Sequence, residues 1–296
     1  MIEFLQQLLN GISLGAIFAL IALGYTMVYG VLRFINFAHS DVFMVGAYVG
    51  YYAGRLVPEH TMWGGLLVLS LAMLACAVLG VVIERLAYRP LRGAATLNVL
   101  ITAIGVSLLL ENLGQYVFGA TPRPFPELFP VRTYNFGGVY ISSNQIAVIV
   151  VTVVLLFALR FIVLRTRIGT AMRALSLNRQ AASLVGINND FVISFTFALG
   201  SALAAAGGIL YSLNYPSIDP LMGVLPGLKA FVAAVLGGIG NIPGAALGGL
   251  LLGIVETFVN GSEWSTYKDA IAFALLILVL LFRPAGLLGR FTKEKV

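Results

Sequence analysis

Apolar residues fall into nine long runs, at about 4–29, 36–54, 64–85, 97–118, 144–164, 191–213, 226–240, 243–260 and 268–283. About 20 apolar residues in a helix, at 1.5 Å each, match a hydrocarbon layer roughly 30 Å thick. The pattern predicts an all-α, polytopic membrane protein with eight or nine transmembrane helices, forming a single domain over residues 1–296. Two connections are long: 119–143 and 165–190. The pair of runs near 226–260 is ambiguous. Gly237, Gly238, Gly240, Asn241, Pro243 and Gly244 cluster at its middle, where a straight helix would be penalised. Either two thin helices cross there, or two half-helices form a re-entrant hairpin.

Composition agrees. Hydrophobic residues make up 59% of the chain and charged residues 10%, against roughly 25% charged in a soluble domain. Such a chain needs lipid as solvent, and its 33 glycines suit close helix packing there. The formal charge of +6 would suggest nucleic acid for a soluble protein. Here the basic residues sit in loops and read as topology signals, so no nucleic acid partner is expected. With the N-terminus outside, the inner loops hold Arg33, Arg85, Arg89, Arg92, Arg165, Arg167, Arg173, Arg179, Arg283, Arg290, Lys293 and Lys295. The outer loops hold Arg55, Arg123, Arg132 and Lys268. Twelve against four places the C-terminus and the 165–190 loop in the cytoplasm. Arg160 and Lys229 fall near span ends, where long side chains can snorkel. Glu3 stands where a signal peptide would carry basic residues, so the first run reads as a retained span. Cys76 is the single cysteine, which excludes an internal disulfide. His39 and His60 belong to opposite sides of the membrane and cannot build a metal site.

The segment 165–190 breaks the apolar pattern. Met172, Leu175, Ala182 and Val185 form one helical stripe, with Arg173 and Arg179 off it and Asn178 and Gly186 as ends or breaks. It reads either as a basic loop lying on the headgroups or as a helix that docks into a cleft of a soluble partner. In "NFAHSD", Asn36, His39, Ser40 and Asp41 stand at the cytoplasmic start of the second run. They serve either as a helix cap, with Ser40 or Asp41 accepting backbone N–H bonds, or as polar groups facing a cavity. Glu111 lies well inside a run. Glu84 has Arg85 and Arg89 nearby for a local ion pair, and Glu256 can pair within the bundle or with a partner. The proline-rich stretch 119–143 reads as a stiff linker. "GGIGNIPGAALGG" lacks the GK[ST] of a phosphate loop and suits helix packing. No Ser-His-Asp set or HExxH supplies catalysis with residues, so the chain is not expected to be an enzyme.

Six stretches together carry a resemblance: "INFAHSDVFMVGAY" (35–48), "ERLAYRPLRG" (84–93), "RTRIGTAMRA" (165–174), "QAASLVGI" (180–187), "VLGGIGNIPGAALGGLLLGIVE" (235–256) and "FRPAGLLG" (282–289). The chain resembles the LivH-type permease subunit of branched-chain amino acid ABC importers over essentially its whole length. "QAASLVGI" is similar to the coupling loop of ABC importers, with Gln180 in place of the usual Glu and no Ile-x-Leu-Pro ending. The resemblance implies a permease of the bacterial inner membrane that forms half of a translocation path for branched-chain amino acids. Its implied partners are a homologous second permease, two cytoplasmic ATPase subunits and a periplasmic binding protein. No cofactor is expected on this chain; ATP and Mg would be used by the partners. Arg167, Gly169, Arg173, Asn178, Arg179, Ala181, Ala182 and Gly186 would couple it to the ATPases. Asn36, His39, Ser40 and Asp41, and the broken helix at Gly237, Gly238, Gly240 and Asn241, would lie on the substrate path, where half-helix amides favour a carboxylate. Import of an amide, urea or another amino acid stays open within the same family. A self-sufficient ion-coupled secondary transporter is the reading from a different class.

Overall fold

The computed structural model describes residues 1–57 and 61–289; His60, Arg290, Lys293 and Lys295 lie outside the described residues. Eleven α-helices are described: α1 (Ile2–Leu32), α2 (His39–Gly54), α3 (Met62–Ile83), α4 (Thr96–Phe118), α5 (Ser143–Arg165), α6 (Arg167–Leu177), α7 (Arg179–Leu184), α8 (Asn189–Asn214), α9 (Val224–Gly237), α10 (Ile242–Asn260) and α11 (Lys268–Phe282). All nine apolar runs became helices. Seven helical segments among the described residues are long and apolar enough to cross a membrane. The other two apolar helices are short. α2 has 16 residues and α9 has 14, about 24 and 21 Å at the helical rise.

α1 is the axis. It is buried almost throughout and packs against α10, α8, α9 and α5. Its seam with α10 is made of small residues. Gly11, Gly15 and Ala19 recur every fourth residue on α1 and face Gly249 and Gly253, also four apart, on α10. Without side chains between them the backbones approach closely, which is how helices adhere in lipid. Gly11-Ile12-Ser13-Leu14-Gly15 matches the letters of a GxSxG nucleophile motif. It lies in mid-helix with both glycines against α10, not on the strand-to-helix turn that such a nucleophile needs. α4, α5 and α11 form the rim, and their outer faces are largely exposed leucine, isoleucine, valine and phenylalanine.

The helix ends segregate into two faces. On one, Gln6 near the start of α1 donates to the Tyr140 carbonyl at 2.9 Å, and Asn214 at the end of α8 donates to Ser13 at 3.1 Å. The stretch 119–143 is not a simple linker there. β1 (Arg123–Pro124) pairs antiparallel with β4 (Ser217–Ile218), and β2 (Thr133–Phe136) with β3 (Val139–Ser142). Gly137 and Gly138 turn the β2–β3 hairpin with φ of 62° and 96°, a two-residue turn that wants φ > 0 at both positions. Phe125, Leu128 and Phe129 pack inward. On the opposite face lie the end of α1, the α6–α7 segment, the α9–α10 turn and residues 285–289.

Two charged residues depart from expectation. Lys229 does not snorkel. It is buried, with Nζ 2.6 Å from both Glu256 Oε1 and Asp269 Oδ1. Glu84, wholly buried, pairs with Arg92 rather than with Arg85 or Arg89, and accepts from Ser194 at 2.6 Å. Arg89 and Arg92 both pair with Asp190, which ties α3 to the start of α8. The helix following α3 widens into a π-turn over Glu84–Tyr88 before Pro90. Proline's missing N–H and its clash with the preceding turn loosen the ladder at that point.

Candidate functional site

Two regions of the molecule bring the polar residues singled out above into geometry that can act. The first is the arginine segment. Thr166 ends α5 and caps α6, its hydroxyl accepting from Gly169 N at 3.1 Å. A Cβ on Gly169 would drive into the carbonyls of Ile162 and Val163, so glycine lets α6 fold back on the end of α5. Arg173 donates to the Val163 carbonyl and closes that end. Asn178 separates α6 from α7 and accepts from Gln180 N and Ala181 N at 2.9 and 3.0 Å, the usual cap for orphan helix amides. Arg179 donates to the Leu32 carbonyl at 3.0 Å, tying α7 to the end of α1. Burial, with Arg92 and Arg33 close by, pushes its guanidinium below the ordinary arginine value. Gly186 ends the segment at φ 84°, where a side chain would be strained.

The stripe divides. Met172, Leu175 and Ala182 are buried, so Ala182 faces its own bundle and not the surface. Val185 is 77% exposed instead, together with Leu177 at 83% and Leu184 at 88%. Ala181, Gly186 and Arg167 are also exposed. The surface of α7 is thus an apolar knob on a basic segment whose arginines Arg173 and Arg179 are committed to internal carbonyls. Leu177 and Leu184 were absent from the expected set; a hydrophobic residue on the non-core face of a polar helix was the signal available.

The second region is the interior around α2. Arg33 ends α1 at φ 57°, and residues 34–38 turn back into the bundle. "NFAHSD" lies there, buried, and not at the outer surface of the span. Tyr88 donates to Asn36 Oδ1 at 2.6 Å. The His39 ring packs on Tyr25 at 4.6 Å and lies against Gly24 so closely that no side chain fits at that position. Neither Ser40 nor Asp41 caps α2. Ser40 donates back to the Phe37 carbonyl at 2.9 Å, and Asp41 accepts from Ser107 at 2.6 Å. Ser107 sits at the middle of α4, so a carboxylate lies deep between two helices.

α9 begins beside the same residues. A Cβ on Gly227 would stand 3.2 Å from Ser40 Cα, and one on Gly223 2.9 Å from the Ser40 carbonyl carbon. The N-terminal turns of two short helices therefore meet at Ser40. Tyr25, Tyr88, Ser107 and Gly223 were missed because their role depends on cross-chain neighbours.

Gly237, Gly238, Gly240 and Asn241 form the turn between two separate helices, α9 and α10. Gly238 and Gly240 take φ of 105° and 91°. Asn241 accepts from Gly244 N at 3.2 Å and donates to the Leu288 carbonyl at 2.7 Å. Leu287 N and Leu288 N donate to Leu236 and Gly237, so the "FRPAGLLG" stretch clasps this turn. A small cavity of about 80 Å³ places Gly240 and Ile242 beside Met172, Arg173 and Ser176 of α6. The structure thus sets the turn across a small cavity from the arginine segment, and packs the start of α9 against the "NFAHSD" cluster. Among the described residues no cluster of His, Cys, Asp and Glu could hold a metal ion.

The family described as "Branched-chain amino acid transport system / permease component" matches residues 7–280. The chain is 46% identical to the high-affinity branched-chain amino acid transport system permease protein BraD of Pseudomonas aeruginosa, covering 99% of this chain and 98% of the relative. It is 44% identical to the LivH permease proteins of Salmonella typhimurium and of Escherichia coli K12, with the same coverage.

Proposed function

The chain belongs to the branched-chain amino acid transport permease family, and from that membership we propose that it is one half of an ATP-driven importer pushed from the cytoplasm through α6–α7. It is a multi-pass membrane permease component. In this reading a second, homologous permease completes the path, two ATPase subunits dock on the α6–α7 face, and a periplasmic binding protein delivers leucine, isoleucine or valine to the hairpin face. The nine arginines of the inner loops within the described residues lie on the α6–α7 face, and the excess of basic residues on inner loops supports a cytoplasmic orientation for it in this reading.

The exposed knob of Leu177, Leu184 and Val185 carries the mechanical part of the reading. Large apolar side chains exposed together on a polar segment mark a contact surface. Behind the knob, α6 faces the α9–α10 turn across a small cavity, and the start of α9 packs against α2 at Ser40. A push on α7 would travel along packed helices to the polar cluster, the way rigid elements rock about a fixed site.

Leu184→Asp in the complete transporter tests this. Expected is loss of co-purifying ATPase subunits, or ATP hydrolysis uncoupled from uptake, with the permease pair still inserted. Normal coupled uptake would reject the docking assignment. Val185→Cys gives the side: Cys76 is buried, so a membrane-impermeant maleimide should label only inverted vesicles. Ion-driven uptake by the chain alone in proteoliposomes would reject the importer reading.

A further inference from the structure

On the hairpin face, the ends of α1, α5, α8, α10 and α11 enclose a polar cavity of about 410 Å³, within the range of roughly 300–1,000 Å³ for small-molecule sites. Its lining includes Glu256 and Lys268. Glu256 is 8% exposed; its Oε1 takes the Lys229 ammonium, while its Oε2 is buried with no hydrogen-bond partner. Asn144, in the same wall, donates through Nδ2 to the Leu213 carbonyl at 3.1 Å and leaves its buried Oδ1 without a donor.

The charges are laid out unevenly. Behind the wall, two carboxylates (Glu256 and Asp269) share the single ammonium of Lys229, so one negative charge is uncompensated there. Lys268 stands on the cavity as a separate cation and makes no ion pair with these groups. The cavity therefore offers acceptors with excess negative charge on one wall and, on another, an ammonium with no ion pair among the described residues. Buried acceptors left without donors are costly and are relieved by a ligand that brings N–H groups.

We propose that this cavity is a binding site for a zwitterionic α-amino acid, with the ligand ammonium on Glu256 Oε2 and Asn144 Oδ1 and its carboxylate on Lys268. It would be a receiving station on the permease itself, before the path through the bundle. The proposal rests on the branched-chain amino acid reading.

The test uses the complete transporter in nanodiscs without its binding protein, titrated with tritiated leucine. Competitors are 4-methylpentanoate, which lacks the ammonium, and 3-methylbutylamine, which lacks the carboxylate. Expected is saturable leucine binding, with each competitor at least about ten-fold weaker, the loss of one charge-assisted contact. Lys268→Met should weaken leucine and 4-methylpentanoate about ten-fold and leave 3-methylbutylamine unchanged. Glu256→Gln should do the reverse. Should Glu256→Gln fail to assemble because Lys229 loses a partner, the Lys268→Met pattern decides alone. Absence of saturable binding, or equal weakening of all three ligands by Lys268→Met, overturns the site. If the wild type with its binding protein still carries leucine in that case, the family reading stands and only the cavity assignment falls. If it carries no branched-chain amino acid, both fall.

Discussion

Gly15→Ala adds one methyl group to the seam between α1 and α10. That methyl would stand 2.7 Å from Leu250 Cα, 2.9 Å from the Leu250 carbonyl oxygen and 3.0 Å from the Gly249 carbonyl oxygen. Carbon pairs settle at about 3.5–4.0 Å, so the overlap with Leu250 Cα is about 1 Å. All three neighbours are backbone atoms and cannot rotate away. The seam must open, and the close approaches of Gly11 to Ile254 and of Gly249 to Ala19 open with it. Overpacking of this kind costs about 1–3 kcal/mol; three rigid neighbours argue for about 3. Alanine recovers about 1 kcal/mol of helix propensity over glycine, leaving a net loss of about 2 kcal/mol. Gly105→Ala is the control. Gly105 also lies within a helix, but a Cβ there meets nothing within 4 Å, so it should be neutral or stabilise by up to about 1 kcal/mol. Unfolding of the detergent-solubilised chain by added SDS, followed by circular dichroism, separates the two. Equal midpoints for Gly15→Ala and wild type would refute the claim that backbone contact along this seam holds the axis of the bundle.

The remaining predictions use the same assay or transport. Arg92→Ala strips the counter-ion from fully buried Glu84 and should cost about 3–5 kcal/mol. Arg89→Ala, whose pair with Asp190 is about half exposed, should cost under about 1 kcal/mol; equal costs would refute the assignment of Glu84 to Arg92. Tyr88→Phe removes the donor to Asn36 Oδ1 inside the bundle and should cost about 1–3 kcal/mol, and an unshifted midpoint would show that bond idle. Gly186→Ala meets open space at φ 84°, so only backbone strain of about 1–2 kcal/mol is expected. A bulky residue there should lower uptake per ATP hydrolysed without changing membrane insertion.

The helices were legible because lipid imposes a demand that composition must meet. The runs at 97–118, 144–164 and 191–213 match α4, α5 and α8 to within two residues at each end. Depth was not legible. The run at 36–54 looks like a full span because Phe37 and Ala38 are apolar. Yet the helix begins only at His39, and the residues before it are non-helical chain buried by protein. Hydropathy reports that a residue avoids water, whether lipid or neighbouring helices supply the shelter. For the same reason the glycine cluster near 238 left two arrangements open. The clasp that makes it a turn comes from Leu287 and Leu288, about 50 residues further along.

For the sites, the motifs were legible as letters and their partners were not. Helical periodicity tells which residues share a face; of its stripe Met172, Leu175, Ala182 and Val185, the first three are buried together and Val185 is exposed. Periodicity cannot tell whether that face meets the bundle or a partner, and here the buried stripe is the protein's own. The exposed surface, proposed above for docking, is the complementary one, Leu177 and Leu184, joined by Val185, which the same periodicity puts with the buried stripe; their exposure is 77–88%. Glu84 shows the same limit. Arg85 and Arg89 are nearer in sequence than Arg92, but the π-turn before Pro90 and the reach of Asp190 from α8 decide the pairing. Lys229, by its place near a span end, reads as a side chain that escapes to the surface. It is instead held by carboxylates from two other helices, 27 and 40 residues away in sequence. A lysine kept in a bundle by two acids leaves a formal excess of one negative charge beside the cavity, and in the site proposed above the ligand ammonium would meet it at Glu256.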